Sequence, residues 1–177
     1  MKKILLSLLS LVMLLNSLST FGWGPKGHDV VAAIAEEYLS EQTQSVLYEV
    51  LDGHSIVYYS SWMDNIQNSP DWETTYSHTK TWHYANVDKG KTYQTMKKNE
   101  KGDVLANLKI LIEEAKAEII AADGNLYAVS PDRIKMIIHM VGDMHCPMHA
   151  GRLSDLGGNL TKVRWFGRNT NLHSVWD

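Results

Sequence analysis

Between His139 and His149 the chain reads HMVGDMHCPMH, three imidazoles and one carboxylate in a segment that is otherwise mostly apolar. His139 and Asp143 are four apart, so on a helix both side chains leave one face, a turn from each other. That is how a helix offers two ligands to a single metal ion. His149 lies ten positions beyond His139, about 80° away on the wheel, and Pro147 kinks any helix that reaches it. The spacing therefore assigns His149 to a neighbouring ion. A lone histidine on such a face is ordinarily a satisfied core residue. Several ionisable groups on one apolar helix each need a buried partner, and a cation is the economical one. The His-x3-Asp spacing recurs as His173 and Asp177. Asp64 follows Trp62, and His83 sits in Thr81-Trp82-His83-Tyr84. If the chain is cleaved after Gly22, the amine and carbonyl of Trp23 lie five residues from His28. Imidazoles and carboxylates without thiolates suit catalytic zinc better than a structural zinc knuckle.

The elements that must position these groups read as helices. Ser130-Pro131-Asp132 opens the central one, with Ser at the cap, Pro at the first helical position and Asp where the dipole favours an anion. Ile134, Ile137, Ile138 and Val141 give it an apolar face. Asp29 to Leu39 reads as an amphipathic helix with Val30, Ile34 and Tyr38 inward. Thr43 to Leu51 is a second helix closed by Asp52-Gly53, and Ser60 to Ile66 a short third. Thr74 to Asp88 looks extended or irregular, and lysine-rich Lys89 to Gly102 looks like a solvated loop. Val104 to Ala122 is a long helix with Leu105, Leu108, Ile112, Ala115 and Ile119 in one stripe, stopped by Asp123-Gly124. Gly157-Gly158-Asn159 turns the chain into a β-like run over Leu160 to Phe166, and Asn171 caps a final helix. The expected class is mostly α, a single-domain multi-helix bundle with a short β-like hairpin.

The chain has 177 residues, room for one domain. Lys2-Lys3, the apolar run Ile4 to Leu18 and Thr20-Phe21-Gly22 read as a signal peptide over residues 1–22, with the domain proper at 23–177. The run is short for a membrane span, so the expectation is a secreted or periplasmic monomer without a membrane anchor. Removing Lys2 and Lys3 leaves 15 basic side chains against 20 acidic ones, a formal charge of −5. A simple electrostatic nucleic-acid binder should be basic. A polyanionic substrate is compatible with this charge only if cations sit in the site. Cys146 is the only cysteine, so no internal disulfide forms.

Taken together and in order, these pieces resemble the zinc-dependent, single-strand-specific nucleases of the S-one/P-one type, within the wider zinc phospholipase C and nuclease superfamily. They are Trp23-Gly24 with Gly27-His28, Ser61-Trp62-Met63-Asp64, His83-Tyr84, His139-x3-Asp143-x-His145-x-Pro147-x-His149, Gly157-Gly158-Asn159, and Asn171 to Asp177. The resemblance implies three Zn²⁺ per chain. One would be held by Asp64, His83, His139 and Asp143, and a second by Trp23, His28 and the shared Asp143. The third would take His149, His173 and Asp177. Paired ions sharing a carboxylate activate water and clamp a phosphate, and the third would face the departing 3′-oxygen. Asp64 and Asp143 would be the carboxylates nearest the chemistry. Tyr84 would stack an unpaired base, which favours single-stranded DNA or RNA over duplex. Products would carry 5′-phosphates, and 3′-nucleotidase activity falls within the same chemistry.

The alternatives are a zinc phospholipase C, in which the last pair tends to be His-x3-Glu, and a zinc-binding protein without catalysis. His145 points away from His139 on a regular helix and reads as structural; His54 and His78 read as surface residues. Met136, Met140, Met144 and Met148 read as a packing stripe. A basic residue common in the family three positions after Asp64 is here Gln67. Relatives continue through several helices after the last ligand, so this chain is expected to cover roughly two-thirds of the family fold.

Overall fold

The computed structural model describes residues 24–177; Trp23 and the leader expected over residues 1–22 lie outside the described residues. Among the described residues six α-helices follow in order, α1 (Gly24–Glu37), α2 (Glu41–Val50), α3 (Trp62–Asn65), α4 (Val104–Ala121), α5 (Pro131–Asp143) and α6 (His173–Trp176). A two-stranded antiparallel hairpin, β1 (Lys162–Trp165) and β2 (Arg168–Asn171), precedes α6 with Lys162 opposite Asn171. The mostly α architecture with a small hairpin is the expected one. No helix among the described residues is long and apolar enough to cross a membrane.

The central helix, α5, packs against α4, α1 and α3. Its two flanks serve two cores. Met136 and Met140 join Met63, Ala85, Val104, Leu108 and Leu111, while Ile134 and Ile138 pack against Ala32, Leu51 and Ile56. The strip between those flanks carries His139 and Asp143, which are buried at the junction. Pro131 and Asp132 fill their expected places, but the Ser130 side chain makes no cap bond. Instead the Ser130 N–H donates to Glu118, and Asp132 accepts from the Tyr76 hydroxyl at 2.7 Å.

Several expectations are corrected. Val30 and Ile34 are each 57% exposed and Tyr38 86%; α1 buries the other arc, through His28 and Ala32. The buried stripe of α4 is Val104, Leu108 and Leu111, with Ile112 largely outside it. Segment 72–81 is not extended but forms a π-helical turn and a 3-10 turn, Trp72–Tyr76 and Ser77–Thr81. Trp82 and His83 lie in a turn, and only 84–88 is irregular. The central helix stops at Asp143 rather than running kinked to His149, so turns carry the chain through Pro147. Of the methionine stripe, Met136 and Met140 are core, whereas Met144 is exposed.

Candidate metal centre

Helix α5 delivers His139 and Asp143, α1 delivers His28, α3 delivers Asp64, and the turn after Thr81 delivers His83. Their polar atoms converge. The Asp143 Oδ2 atom lies 3.0 Å from His83 Nδ1 and 3.1 Å from His139 Nε2. Its Oδ1 atom lies 3.4 Å from His28 Nε2 and 2.8 Å from His149 Nδ1. One carboxylate thus faces two imidazoles with each oxygen. Asp64 stands on the open side, 46% exposed, 3.6 Å from His139 and 3.7 Å from His83. A second group forms beside it, with His149 Nε2 and His173 Nε2 each 3.6 Å from the carboxylate of Asp177. His149 thus faces both groups, rather than the second alone.

The proton positions argue for a cation. His139 Nδ1 is 2.8 Å from the Ser60 carbonyl oxygen, which can only accept, so Nδ1 carries the hydrogen. Nε2, the remaining ring nitrogen, then faces the Asp143 carboxylate and His83 Nδ1, 3.1 Å from each. His173 repeats the device: Nδ1 donates to the Gly157 carbonyl at 2.8 Å and Nε2 turns towards Asp177. Imidazoles that ligate metal are ordinarily held in this way by the opposite ring nitrogen. Both Asp143 oxygens, at 1% side-chain exposure, lack an aligned hydrogen bond, as do His83 Nε2, His28 Nδ1 and His149 Nδ1. A buried carboxylate without hydrogen bonds costs several kcal/mol unless a positive centre compensates it. These residues fit divalent metal.

Charge shifts follow the same geometry. Burial opposes the Asp143 carboxylate, yet the surrounding imidazoles of His139, His149, His28 and His83 hold it well below the usual carboxylate range. Burial likewise opposes the His149 imidazolium, and Asp143 with Asp177 outweigh it, raising the group to about 10. Proton and metal ion compete for the same His149 nitrogens, so a cation binding there releases a proton.

Small residues and backbone groups that spacing arguments passed over complete the centre. The His28 ring stacks on His139 at 4.1 Å, and a Cβ on Gly142 would meet the His28 ring at 3.0 Å or less. Asp29 accepts from the Ser60 hydroxyl at 2.6 Å, fixing the residue whose carbonyl orients His139. Gly157, at φ +61°, comes against the Met148 carbonyl and His173. Only the unremarkable His-Met-Val-Gly-Asp order pointed to Gly142, and nothing pointed to the two carbonyls. His145 is exposed and bonded to the Val141 carbonyl, as its helix position implies. Cys146 is buried, and burial raises its thiol. Tyr84 is half-buried beside His83, and Gln67 is exposed just after α3.

A shared buried carboxylate among four imidazoles, with a second imidazole–carboxylate group beside it, gives this helical protein residue groups that could hold metal ions. The sequence profile described as S1/P1 Nuclease matches residues 23–177, and the chain belongs to that family. Endonuclease 3 of Arabidopsis thaliana is 31% identical over 183 residues, covering 98% of this chain and 58% of that protein. Endonuclease 4 of the same plant is 29% identical, covering 88% and 54%, and Nuclease S1 of Aspergillus oryzae 27%, covering 89% and 54%. The chain therefore spans a little over half the length of these relatives, less than the two-thirds expected.

Proposed function

We propose that this chain hydrolyses phosphodiester bonds of single-stranded DNA or RNA, leaving 5′-phosphates, with three zinc ions in the imidazole–carboxylate centre. The observation that carries the reading is Asp143, whose two oxygens face separate imidazole pairs while lacking aligned hydrogen bonds. Asp64, His83, His139 and Asp143 would hold one ion; His28 and Asp143, with the Trp23 amine and carbonyl, a second; His149, His173 and Asp177 the third. When bound, zinc supplies Lewis acidity and brings the ionisation of water towards neutral pH. The protein's own contribution is arrangement. Ser60 and Gly157 carbonyls fix the His139 and His173 rings, so their Nε2 atoms need no reorientation. Asp64, the exposed carboxylate of the first group, borders the solvent side from which a phosphate and the attacking water enter. Tyr84, adjacent to His83, offers a ring to an unpaired base, which duplex DNA does not present. Removal of residues 1–22 on export to a secreted or periplasmic destination would free the Trp23 amine, whose ordinary pKa near 7.7–8.0 lets zinc displace its proton.

The test is hydrolysis by zinc-loaded mature chain of single-stranded DNA, duplex DNA and phosphatidylcholine, with and without chelator. Single strands should be cut faster than duplex, with activity lost to chelator. Equal cleavage of duplex refutes the single-strand assignment, and preferential lipid hydrolysis moves the protein to the phospholipase branch.

A further inference from the structure

Beside the metal centre runs a groove of about 420 Å³ whose lining includes Tyr84, Asn86, Leu153, Lys97, Lys98 and Lys101. One wall is continuous with the centre. Tyr84 follows His83 directly, and Asn86 approaches the second group, since a Cβ on Gly157 would meet Asn86 Oδ1 at 3.2 Å and His173 Nδ1 at 3.5 Å. The opposite wall is the segment 89–102, which holds Lys89, Lys91, Lys97, Lys98 and Lys101 against a single acid, Glu100. That local excess runs against the net charge of −3 for the whole chain.

The lysine segment is tied down. Trp82 Nε1 donates to the Lys101 carbonyl at 3.1 Å and the Thr81 hydroxyl to the Gly102 carbonyl at 3.0 Å. Tyr93 donates to Asp103 at 2.9 Å, and the Lys98 ammonium lies 2.7 Å from the centroid of the Tyr93 ring. Among the described residues no carboxylate forms an ion pair with Lys97, Lys98 or Lys101. Glu100 and the buried Asp103, which accepts from the Tyr93 hydroxyl and the Ala106 N–H, also line the groove. The three lysines outnumber them and none is ion-paired, so along a groove that opens beside a stackable ring they form an electrostatic track rather than a converging pocket for one small anion. Lysine is a point charge towards phosphate and does not read sequence.

We propose that this groove binds the sugar–phosphate backbone of the substrate strand beyond the cleaved linkage, so that long strands are held more tightly than dinucleotides. The assignment rests on the nuclease reading and adds a second contact region to it. Three phosphate contacts on a single strand give a salt slope of about 0.7 × 3. Between about 50 and 200 mM salt the wild type then loses about twentyfold more affinity than a chain without them.

The experiment compares wild type with Lys97→Gln/Lys98→Gln/Lys101→Gln in the zinc-loaded chain. One arm measures hydrolysis of a dinucleotide and of a strand about 12 nucleotides long; the other measures anisotropy of a phosphorothioate strand of that length across salt. The triple variant should raise KM for the long strand about tenfold or more, leave dinucleotide turnover unchanged, and flatten the salt slope by about two. Lys97→Gln/Lys101→Gln, which spares the Lys98–Tyr93 contact, should give about two-thirds of the slope change, and arginine at all three positions should restore it. An unchanged slope and KM overturn the groove, as does an equal loss on the dinucleotide, which would place the lysines at the cleaved linkage. If the wild type cuts no strand yet binds the phosphorothioate through these lysines, the nuclease reading fails and the groove stands.

Discussion

Replacing Gly142 with alanine tests the centre through its packing rather than its ligands. Helix α5 brings Gly142 against the His28 ring, where an added Cβ would lie 3.0 Å from Cε1, 3.3 Å from Cγ and closer still to Nδ1. The push comes at the Nδ1 edge, so it slides the ring across the His139 face stacked on it at 4.1 Å and displaces Nε2 from its place beside Asp143. Overpacking of this kind costs about 1–3 kcal/mol, and alanine returns up to about 1 kcal/mol of helix propensity. The net destabilisation is therefore about 1–2 kcal/mol. The sharper effect is on metal. His28 Nε2 stands 3.4 Å from Asp143 Oδ1, and ligand positions tolerate only about 0.2 Å. A ring displaced by about 1 Å leaves that ion short of a ligand, and its affinity should fall about 10–100-fold while the ion on His83 and His139 is retained. Thermal melts of the zinc-loaded chain and zinc counted against a competing chelator read the two effects separately. If Gly142→Ala is as stable as wild type and keeps its full complement of zinc, the close approach of the two helices is not what seats His28.

Two further outcomes are expected. Asp143→Asn should abolish most single-strand hydrolysis, bind at least one fewer zinc, and melt lower than wild type even once both are stripped by chelator. With no metal bound, the carboxylate is what holds the His149 imidazolium, raised to about 10, and the amide leaves that buried charge without its nearer partner, a loss of about 1–3 kcal/mol; a stripped variant that melts as high as wild type would show that the carboxylate has no counter-charge within the protein. For Tyr93, burial and the bond to Asp103 push the hydroxyl up to about 12. A raised folded value means its contribution is complete below the ordinary value near 10 and is lost as pH rises through about 12. Tyr93→Phe should accordingly be less stable than wild type below pH about 10 and converge with it above about 12. A stability difference that persists in strong alkali would assign the effect to packing.

The positions of His139, Asp143, His149, His173 and Asp177 were legible because metal-binding chemistry restricts residue types, and helical spacing restricts where they fall. Packing was less legible. Along α1 two arcs compete: Val30, Ile34 and Tyr38 are large and apolar, whereas His28 and Ala32 are polar or small. Hydrophobic periodicity weights size, so it turns the first arc inward. The structure buries the second, because His28 can meet His139 only where α1 approaches α5 closely, and Ala32 with Gly142 permits that approach. Apposition to the centre, rather than apolar area, sets the rotation of this helix.

The groups that orient the imidazoles were not legible for a different reason. His139 and His173 are both held by main-chain carbonyls, those of Ser60 and Gly157. Every residue carries such an oxygen, so no side-chain pattern announces which one will point at a ring. What singles out Ser60 is the fold: its hydroxyl is bonded to Asp29, the residue after His28, while its carbonyl receives His139. One residue thus joins the helix bearing His28 to the helix bearing His139 and Asp143. The residue types can be read from sequence, whereas the ring orientations that would let them hold metal arise only once α1, Ser60 and α5 have come together.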